Sequence, residues 1–175
     1  MKRPRPPLFR AVPGRLVSIY TSPSAGDAVI ARSVVSIGPA GLEGDRYAAG
    51  AGSFSRWPAP HRAVTLIAQE SIDAAEAAFG VSMQRGEHRR NLVVEGVPLE
   101  DLRGVRLEIG DAVLEGVRLC APCRYLVRVT GQAAAFDALV GRGGLRARVV
   151  EPGRVRVGDA VAVRAAERPR RSLPG

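Results

Sequence analysis

Two cysteines three residues apart, Cys120 and Cys123, are the first candidates for chemistry in this chain. A Cys-x-x-Cys pair has several uses. A structural zinc site needs about four ligands, and the two histidines, His61 and His88, lack the close spacing that zinc fingers use. A thioredoxin-like site needs a strand–helix–strand setting, whereas this pair follows a predicted strand and caps no predicted helix. The pair therefore predicts neither a zinc finger nor a thioredoxin site.

The charge around this cysteine pair favours a thiolate. Arg118 and Arg124 flank it, and nearby cations stabilise the negatively charged sulfur. A thiolate is a soft ligand that suits a soft metal centre. The alternative interpretation is that both cysteines are small apolar residues at the end of a strand.

A glycine-rich segment, Gly-Leu-Glu-Gly-Asp-Arg at 41–46, is the second candidate. Two glycines three residues apart allow a tight loop whose backbone can approach a ligand closely, and Asp45 and Arg46 lie at its exit. The alternative is an ordinary turn with a surface ion pair of little energetic value. The segment does not follow the pattern of a dinucleotide or P-loop site, which also requires a strand–loop–helix setting.

Two adjacent arginines precede an apolar run in His-Arg-Arg-Asn-Leu at 88–92. If this segment is a strand, Arg89 and Asn91 share one face and Arg90 takes the other, because successive side chains alternate. A guanidinium beside an amide can hold a phosphate or the edge of a pterin. The alternative is a solvated start of a strand.

A polar residue interrupts the apolar run Val-Thr-Leu-Ile at 64–67, which Arg62 precedes. The hydroxyl of Thr65 needs a hydrogen-bond partner if this strand is buried. Arg62 and Thr65 are therefore candidates for ligand contacts, although a backbone partner for the hydroxyl is the simpler explanation.

Short apolar runs bounded by Gly, Pro and Asp position these candidates and predict many short strands, which is typical of a barrel or sandwich. The predicted strands are 15–20, 33–37, 63–67, 92–94, 105–109, 113–119, 145–150, 155–157 and 160–163. Helical spacing predicts helices over 70–79, ended by Gly80, and 132–140, ended by Gly141. Gly-Asp recurs at 110–111 and 158–159, where it predicts turns between strands. The fold class is α+β, mostly β.

The net charge of +9 is concentrated at the two ends of the chain. Residues 1–15 carry five basic residues and no acid, and residues 164–175 carry four arginines and one glutamate. With their clustered prolines, 1–13 and 165–175 are predicted to be tails around one domain at 14–164. No apolar run reaches the roughly 18 residues of a membrane span, and two cysteines make no disulfide framework. We expect a cytoplasmic protein, with nucleic acid an improbable partner.

Together, five segments resemble the MOSC domain family in order and spacing. They are Gly-Leu-Glu-Gly-Asp-Arg at 41–46, Arg-Ala-Val-Thr-Leu-Ile-Ala-Gln-Glu at 62–70, Arg-Arg-Asn-Leu-Val-Val-Glu-Gly-Val at 89–97, Leu-Glu-Ile-Gly-Asp-Ala-Val-Leu-Glu at 107–115 and Cys-Ala-Pro-Cys at 120–123. The resemblance covers about residues 14–163 and is greatest to short bacterial members. It implies a MOSC-type β-barrel with a few flanking helices that binds the molybdenum cofactor (molybdopterin).

The resemblance also implies roles for individual residues. Cys123 corresponds to the cysteine that ligates molybdenum and is the implied catalytic residue. The implied cofactor contacts are Gly44, Asp45, Arg46, Arg62, Thr65, Arg89 and Asn91. Tyr47 departs from the family, since many short members have His there. The family is also associated with pyridoxal phosphate binding, to which no residue is assigned here.

The implied activity is reduction of small N-hydroxylated substrates with electrons from a partner protein, because the chain has no ferredoxin-like or flavin module. Two alternatives stay open. Cys123 could instead carry a persulfide and deliver sulfur to a metal centre or cofactor. The chain could also be a non-enzymatic barrel whose basic tails bind RNA.

Overall fold

Eleven short strands and three helices build the protein in the computed structural model, which describes residues 14–51 and 60–164. The strands are β1 Gly14–Thr21, β2 Ile30–Arg32, β3 Val34–Gly38, β4 Gly41–Leu42, β5 Val64–Ala68, β6 Leu92–Glu95, β7 Arg106–Ile109, β8 Ala112–Leu119, β9 Leu145–Glu151, β10 Gly153–Arg156 and β11 Ala160–Arg164. The helices are α1 Gln69–Phe79, α2 Arg124–Thr130 and α3 Ala135–Ala138, with 3-10 turns at Pro60–Arg62 and Leu99–Asp101. The predicted tails, 1–13 and 165–175, lie outside the described residues.

Seven of the strands close into a barrel in the order β11-β7-β8-β9-β5-β6-β1. Closure comes from antiparallel pairing of β1 with β11, where Gly14 lies opposite Val161. β5 and β6 are parallel, and α1 lies in the long crossover that a parallel pair requires. β10, β3 and β4 form a separate three-stranded sheet. The α+β, mostly β barrel expected from the sequence is confirmed.

Branched apolar side chains fill the barrel interior. Leu16, Leu66, Leu92, Leu107, Leu114 and Leu145 are all fully buried in one cluster. A second cluster, under the helices, includes Ile72, Met83, Leu126 and Leu139. In a barrel this small the side chains occupy the lumen, so a ligand site has to lie at an end or on the outside.

Several local predictions are confirmed. α1 ends at Gly80, which adopts a left-handed conformation with φ of 63° and donates from its N–H to the Glu76 carbonyl at 2.9 Å. The first Gly-Asp pair forms the turn between β7 and β8, and the second lies between β10 and β11. The carboxylate of Asp159 accepts the backbone N–H of Arg156 at 2.7 Å, which is the local turn chemistry expected of aspartate.

The segment after the cysteine pair differs from the prediction. Cys123 is the N-cap of α2, with φ of −140° and ψ of 159°, so the pair does precede a helix. α3 is shorter than predicted and begins at Ala135, while the side chain of Gln132 bonds the backbone N–H and C=O of Ser82 at 2.6 and 2.9 Å. β2 and β4, which are three and two residues long, were not predicted, since strands this short carry little periodicity. Within the described residues, no helix is long and apolar enough to cross a membrane.

Candidate functional site

An open cleft brings the cysteine pair together with the predicted arginines. Five of its lining residues are arginines, namely Arg46, Arg62, Arg89, Arg90 and Arg146. The others are Tyr47, Thr65, Cys120, Ala121, Pro122, Cys123, Tyr125 and Leu126. None of these described lining residues is acidic, so the cleft is strongly cationic.

Asp45 lies behind the cleft wall and organises the loop that carries Arg46. It is 1% exposed, and its carboxylate accepts the backbone N–H groups of Ser22 at 3.0 Å and Tyr47 at 3.1 Å. The side-chain amide of Asn91 donates to it at 3.2 Å, and Arg46 lies 3.5 Å away. Asp45 therefore fixes the exit of the loop, with Arg46 stacked over the ring of Tyr47 at 4.6 Å from its centre.

Asn91 and Thr65 bond each other in the same buried network. The Asn91 Oδ1 accepts the backbone N–H of Thr65 at 3.1 Å and its hydroxyl at 2.9 Å, while the Thr65 Oγ1 accepts the Asn91 N–H at 3.0 Å. The Asn91 amide nitrogen also donates to the Tyr20 carbonyl at 3.2 Å. Because Asn91 uses its oxygen and its amide nitrogen within the protein, it positions the cleft wall and does not line the cleft.

The predicted site residues therefore separate into two layers. Arg46, Arg62, Thr65, Arg89 and Cys123 line the cleft. Asp45 and Asn91 are buried behind it, and Gly44, which is exposed, is not among the lining residues. Gly44 supplies the turn before Asp45 with φ of 77°, a conformation that glycine adopts without strain.

Arg89 is held in a strained backbone conformation at the cleft. Its φ of 62° is the single positive value among the described non-glycine residues. Its guanidinium donates to the Asp27 carbonyl at 2.5 Å and to the Ser22 hydroxyl at 3.3 Å, while its buried Nε–H has no hydrogen-bond partner among residues 14–51 and 60–164. Burial and the neighbouring Arg46 lower the pKa of Arg89 from its ordinary value. Such strain concentrates at functional sites.

Arg90 links two segments beside the cleft, those that contain His88 and Gly143, through hydrogen bonds. Its Nε donates to the Gly143 carbonyl at 2.8 Å and its Nη1 to the His88 carbonyl at 3.1 Å. The next carbonyl, that of Gly144, accepts the N–H of Cys120 at 2.7 Å. The prediction that Arg90 faces away from Arg89 is wrong, because both precede β6 in non-strand backbone where strand alternation does not apply.

His88 supports this segment as a neutral residue. It is fully buried, and its Nδ1 accepts the backbone N–H of Arg90 at 2.9 Å. Burial, with a smaller contribution from the Arg90 charge, lowers the pKa of His88 to about 3. The described residues contain no group of three His, Cys, Asp or Glu side chains that could hold a metal ion, so they offer no zinc site.

The two cysteines differ in exposure. Cys123 is exposed, whereas Cys120 is buried, and both are free thiols. A residue that sequence reasoning missed, Arg146, pairs in register with Thr65 across β5 and β9. Nothing in the sequence near Arg146 marks it. Only the pairing of β9 with β5 brings Arg146 to the cleft. Tyr125, which was also missed, reaches the cleft because it lies in the first turn of α2.

Comparison with known proteins identifies the family. The model of the MOSC domain matches residues 43–162. The chain belongs to the MOSC domain family. No curated protein matches the chain significantly, but solved structures do. The YuaD protein from Bacillus subtilis is 19% identical with a TM-score of 0.72, over 86% of this chain and 95% of that one.

Two further solved structures share this MOSC fold. YiiM from Geobacillus stearothermophilus is 18% identical with a TM-score of 0.66, over 87% of this chain and 76% of that one. YiiM from Escherichia coli is 18% identical with a TM-score of 0.61, over 86% and 70%. At such identities the likeness concerns the fold alone.

The cofactor that the MOSC family implies fits the residues of the cleft. Its anionic part needs cationic donors, which the arginines supply, and the Nε–H of Arg89 is a buried donor without a partner. The described residues offer no cluster of three protein ligands for a bare metal ion. The exposed thiol of Cys123 can then add one protein ligand.

Proposed function

We propose that this MOSC protein binds the molybdenum cofactor in the cationic cleft and reduces small N-hydroxylated compounds, with electrons from a partner protein. The observation that carries the proposal is the exposed thiol of Cys123 on the wall of a cleft with five arginines and no acidic lining residue. A soft thiolate and a set of guanidinium groups match the two ends of a metal-bearing organic phosphate.

In this proposal the arginines bind and orient the anionic end of the cofactor. Guanidinium groups can hold phosphate oxygens in pairs with fixed geometry. Arg89 is already constrained by its bonds to Asp27 and Ser22, so it loses little freedom on binding. Asp45 and Asn91 maintain this geometry from behind, since the Asp45 carboxylate accepts the backbone N–H of Tyr47, directly after Arg46, and the side-chain amide of Asn91.

Cys123 anchors the metal end in this proposal. Its place at the start of α2 presents the sulfur to solvent at the cleft. When bound, the cofactor would supply the two-electron chemistry that removes oxygen from an N–OH group, which side chains alone cannot perform. The contribution of the chain is then to hold the cofactor and leave one side of it open to substrate.

Elemental analysis of protein purified from a host that makes the cofactor tests the proposal. We expect near-stoichiometric molybdenum in the parent, little in Cys123→Ser, and near-parent content in Cys120→Ser, whose altered thiol is buried. Reduction of an amidoxime should follow the molybdenum content. Full metal content and activity in Cys123→Ser would falsify the assignment.

A second candidate function rests on the exposure of the same thiol. A sulfur carrier needs an accessible cysteine, and Cys123 is exposed while Cys120 is not. This function predicts one extra sulfur atom on Cys123 in intact-mass spectra of purified protein, loss of that mass in Cys123→Ser, and no molybdenum. The same preparations therefore separate the two functions.

A further inference from the structure

The segment of the chain that surrounds the proposed metal ligand carries an excess of positive charge. Residues 118–146 contain five arginines and a single acidic residue, Asp137. One of the five, Arg146, lines the cationic cleft. The other four, which we call the arginine rim, are Arg118, Arg124, Arg128 and Arg142. None of the four forms an ion pair with any residue in 14–51 or 60–164.

The fold places the arginine rim around the opening of the cleft. Arg118 on β8 lies opposite Arg146 on β9, and the side chains of residues paired in this way project from the same face of the sheet. Arg128 lies over the ring of a cleft residue, Tyr125, at 5.1 Å from its centre. Arg124 comes directly after the proposed metal ligand. The rim therefore borders the place where the metal would be bound.

An apolar groove beside the cleft carries the fourth rim arginine, Arg142. The groove shares residues 120–122 with the cleft. Two aliphatic side chains at the groove, those of Leu119 and Val140, are 41% and 53% exposed. Because arginine is enriched at protein–protein interfaces and their centres are apolar, this mixture favours another protein as the binding partner.

Two pairs of like charges in this region work against the stability of the folded chain. Arg118 faces Arg146 across two antiparallel strands, where like charges directly opposite each other are destabilising. Arg124 and Arg128 are exposed and lie four residues apart on α2, a spacing at which like charges repel. The outer wall of the barrel, by contrast, pairs arginines with glutamates. Folding does not account for the arrangement at the rim, whereas binding of a negatively charged surface does.

We propose that the arginine rim is the docking surface for an acidic electron-carrier protein. This inference rests on the proposed function and specifies its partner. Reduction of an N–OH group to N–H releases water and consumes two electrons and two protons. Two molecules of a reduced one-electron carrier supply the electrons in turn, each becoming oxidised, and solvent supplies the protons. A carrier on the rim lies next to Cys123, and opposite charges steer it there in a fixed orientation.

The exposure of the rim suits a short-lived complex. A one-electron carrier has to leave after each transfer, and electron-transfer complexes accordingly use small interfaces. Charges at the edge of an interface mainly raise the association rate and have less influence on dissociation. Three of the four rim arginines are exposed and Arg142 is half-buried, so the rim can attract a carrier without holding it for long.

The association rate of an acidic [2Fe–2S] ferredoxin with the full chain, measured by surface plasmon resonance, tests the rim. Arg128→Glu combined with Arg142→Glu reverses two rim charges. Arg154→Glu combined with Arg156→Glu makes the same charge change on β10, at exposed positions that line neither the cleft nor the groove. We expect the rate to fall roughly tenfold or more in the first double variant and less than about twofold in the second, and to fall in the parent as salt rises.

Three results would overturn the proposal. Equal effects of the two double variants would show that only the net charge matters. No binding of ferredoxin by the parent at low salt would show that the rim is not such a docking surface. Tighter binding of a single-stranded RNA than of ferredoxin, lost in the rim variant, would identify a nucleic-acid interface. If urea unfolding shows that the charge reversals disturb the fold, Arg128→Gln with Arg142→Gln provides the same test with a smaller expected loss.

An artificial donor separates this inference from the proposed function, because reduced methyl viologen delivers electrons without a docking surface. In molybdenum-loaded protein we expect Arg128→Glu with Arg142→Glu to keep the viologen-driven rate of amidoxime reduction and to lose roughly tenfold of the ferredoxin-driven rate at low ferredoxin concentration. Equal losses with both donors would overturn the docking surface. No reduction by the loaded parent with viologen would instead contradict the proposed function, and the association rates would still decide whether an acidic protein binds the rim.

Discussion

Arginines are used in two different ways on the barrel's outer wall and in the cleft. On the outer wall Arg15 pairs with Glu95 at 2.8 Å and Arg148 with Glu115 at 2.9 Å, while Arg164 pairs with Glu108. In the cleft five arginines converge, and the nearby carboxylate of Asp45 already accepts three N–H donors. On the outer wall these arginines are each neutralised by a neighbouring glutamate, whereas in the cleft the arginines lie together.

The difference shows what an anion site requires. A surface arginine beside a glutamate contributes little to stability and leaves no strong potential. Cations gathered in a concave site focus a positive potential that attracts anions. Arg89 belongs to the second case, because burial and then the neighbouring Arg46 lower the pKa of its guanidinium.

We expect the largest effect from a substitution in the cationic cleft, compared with one on the barrel's outer wall. Arg89→Gly removes a guanidinium from the proposed site, and we expect molybdenum retained after dialysis to fall roughly 10- to 100-fold, since a charged hydrogen bond contributes about 1.5–3 kcal/mol. Arg148→Ala, on the outer wall, should change retention less than twofold. Equal retention of molybdenum in Arg89→Gly and Arg148→Ala would show that the anionic part of the cofactor binds elsewhere.

This substitution also separates binding from folding. Glycine adopts the φ of 62° found at Arg89 without strain, a relief of about 1 kcal/mol. That gain offsets only part of the contribution of the lost hydrogen bonds to Asp27 and Ser22, so we expect the free energy of unfolding to fall by roughly 1–3 kcal/mol. Urea titration of metal-free protein measures it.

The next largest effect compares a buried carboxylate, that of Asp45, with an exposed one, that of Glu95. Asp45→Asn replaces a buried acceptor of three N–H donors by an amide with one oxygen, and we expect a loss of about 2–3 kcal/mol in the free energy of unfolding. Glu95→Gln, at an exposed ion pair, should cost less than about 1 kcal/mol. Urea unfolding of both variants measures the difference. Similar losses would mean that Asp45 is no more constrained than a surface residue.

The effect that is smallest near neutral pH comes from the protonation of His88. Because burial lowers the pKa of His88 to about 3, the unfolded chain binds a proton at a higher pH than the folded chain. The contribution of His88 is fully present above pH of about 6.5. It is lost at up to roughly 1.4 kcal/mol per pH unit as the pH falls toward 3.

His88→Asn keeps an acceptor for the Arg90 N–H and removes the titration. We expect the slope of unfolding free energy against pH between 7 and 5 to be smaller in this variant than in the parent. Urea titrations at several pH values measure both slopes. Identical slopes would show that His88 is protonated alike in the folded and unfolded states.

Much of the fold could be read from local sequence, with limits at the shortest elements. The apolar runs over 64–67 and 145–150 became β5 and β9 within one residue, because burial and strand period act over a few neighbours. β4 within the loop at 41–46 was missed, since a strand of two residues carries too little periodicity to be predicted, although its pairing with β3 is local. The helix after Cys123 was missed because Cys-Ala-Pro-Cys carries no strong capping signal.

The candidate site was predicted only in part. The resemblance brought out Cys123, Arg46 and Arg89, which do meet in one cleft. It did not separate residues that line the cleft from those that support it, such as Asp45 and Asn91. That distinction depends on which hydrogen bonds each side chain makes across segments more than 20 residues apart.

The sequence by itself determined the β-rich class, the Gly-Asp turns, the first helix and the family, because these depend on residue types and spacings along the chain. Only the tertiary structure decided that Arg90 and Arg146 join the cleft, that Asn91 faces inward, and that an apolar groove adjoins Cys123. The physical reason is barrel closure. Strand register sets which distant side chains converge at one end, and no local pattern encodes that register alone.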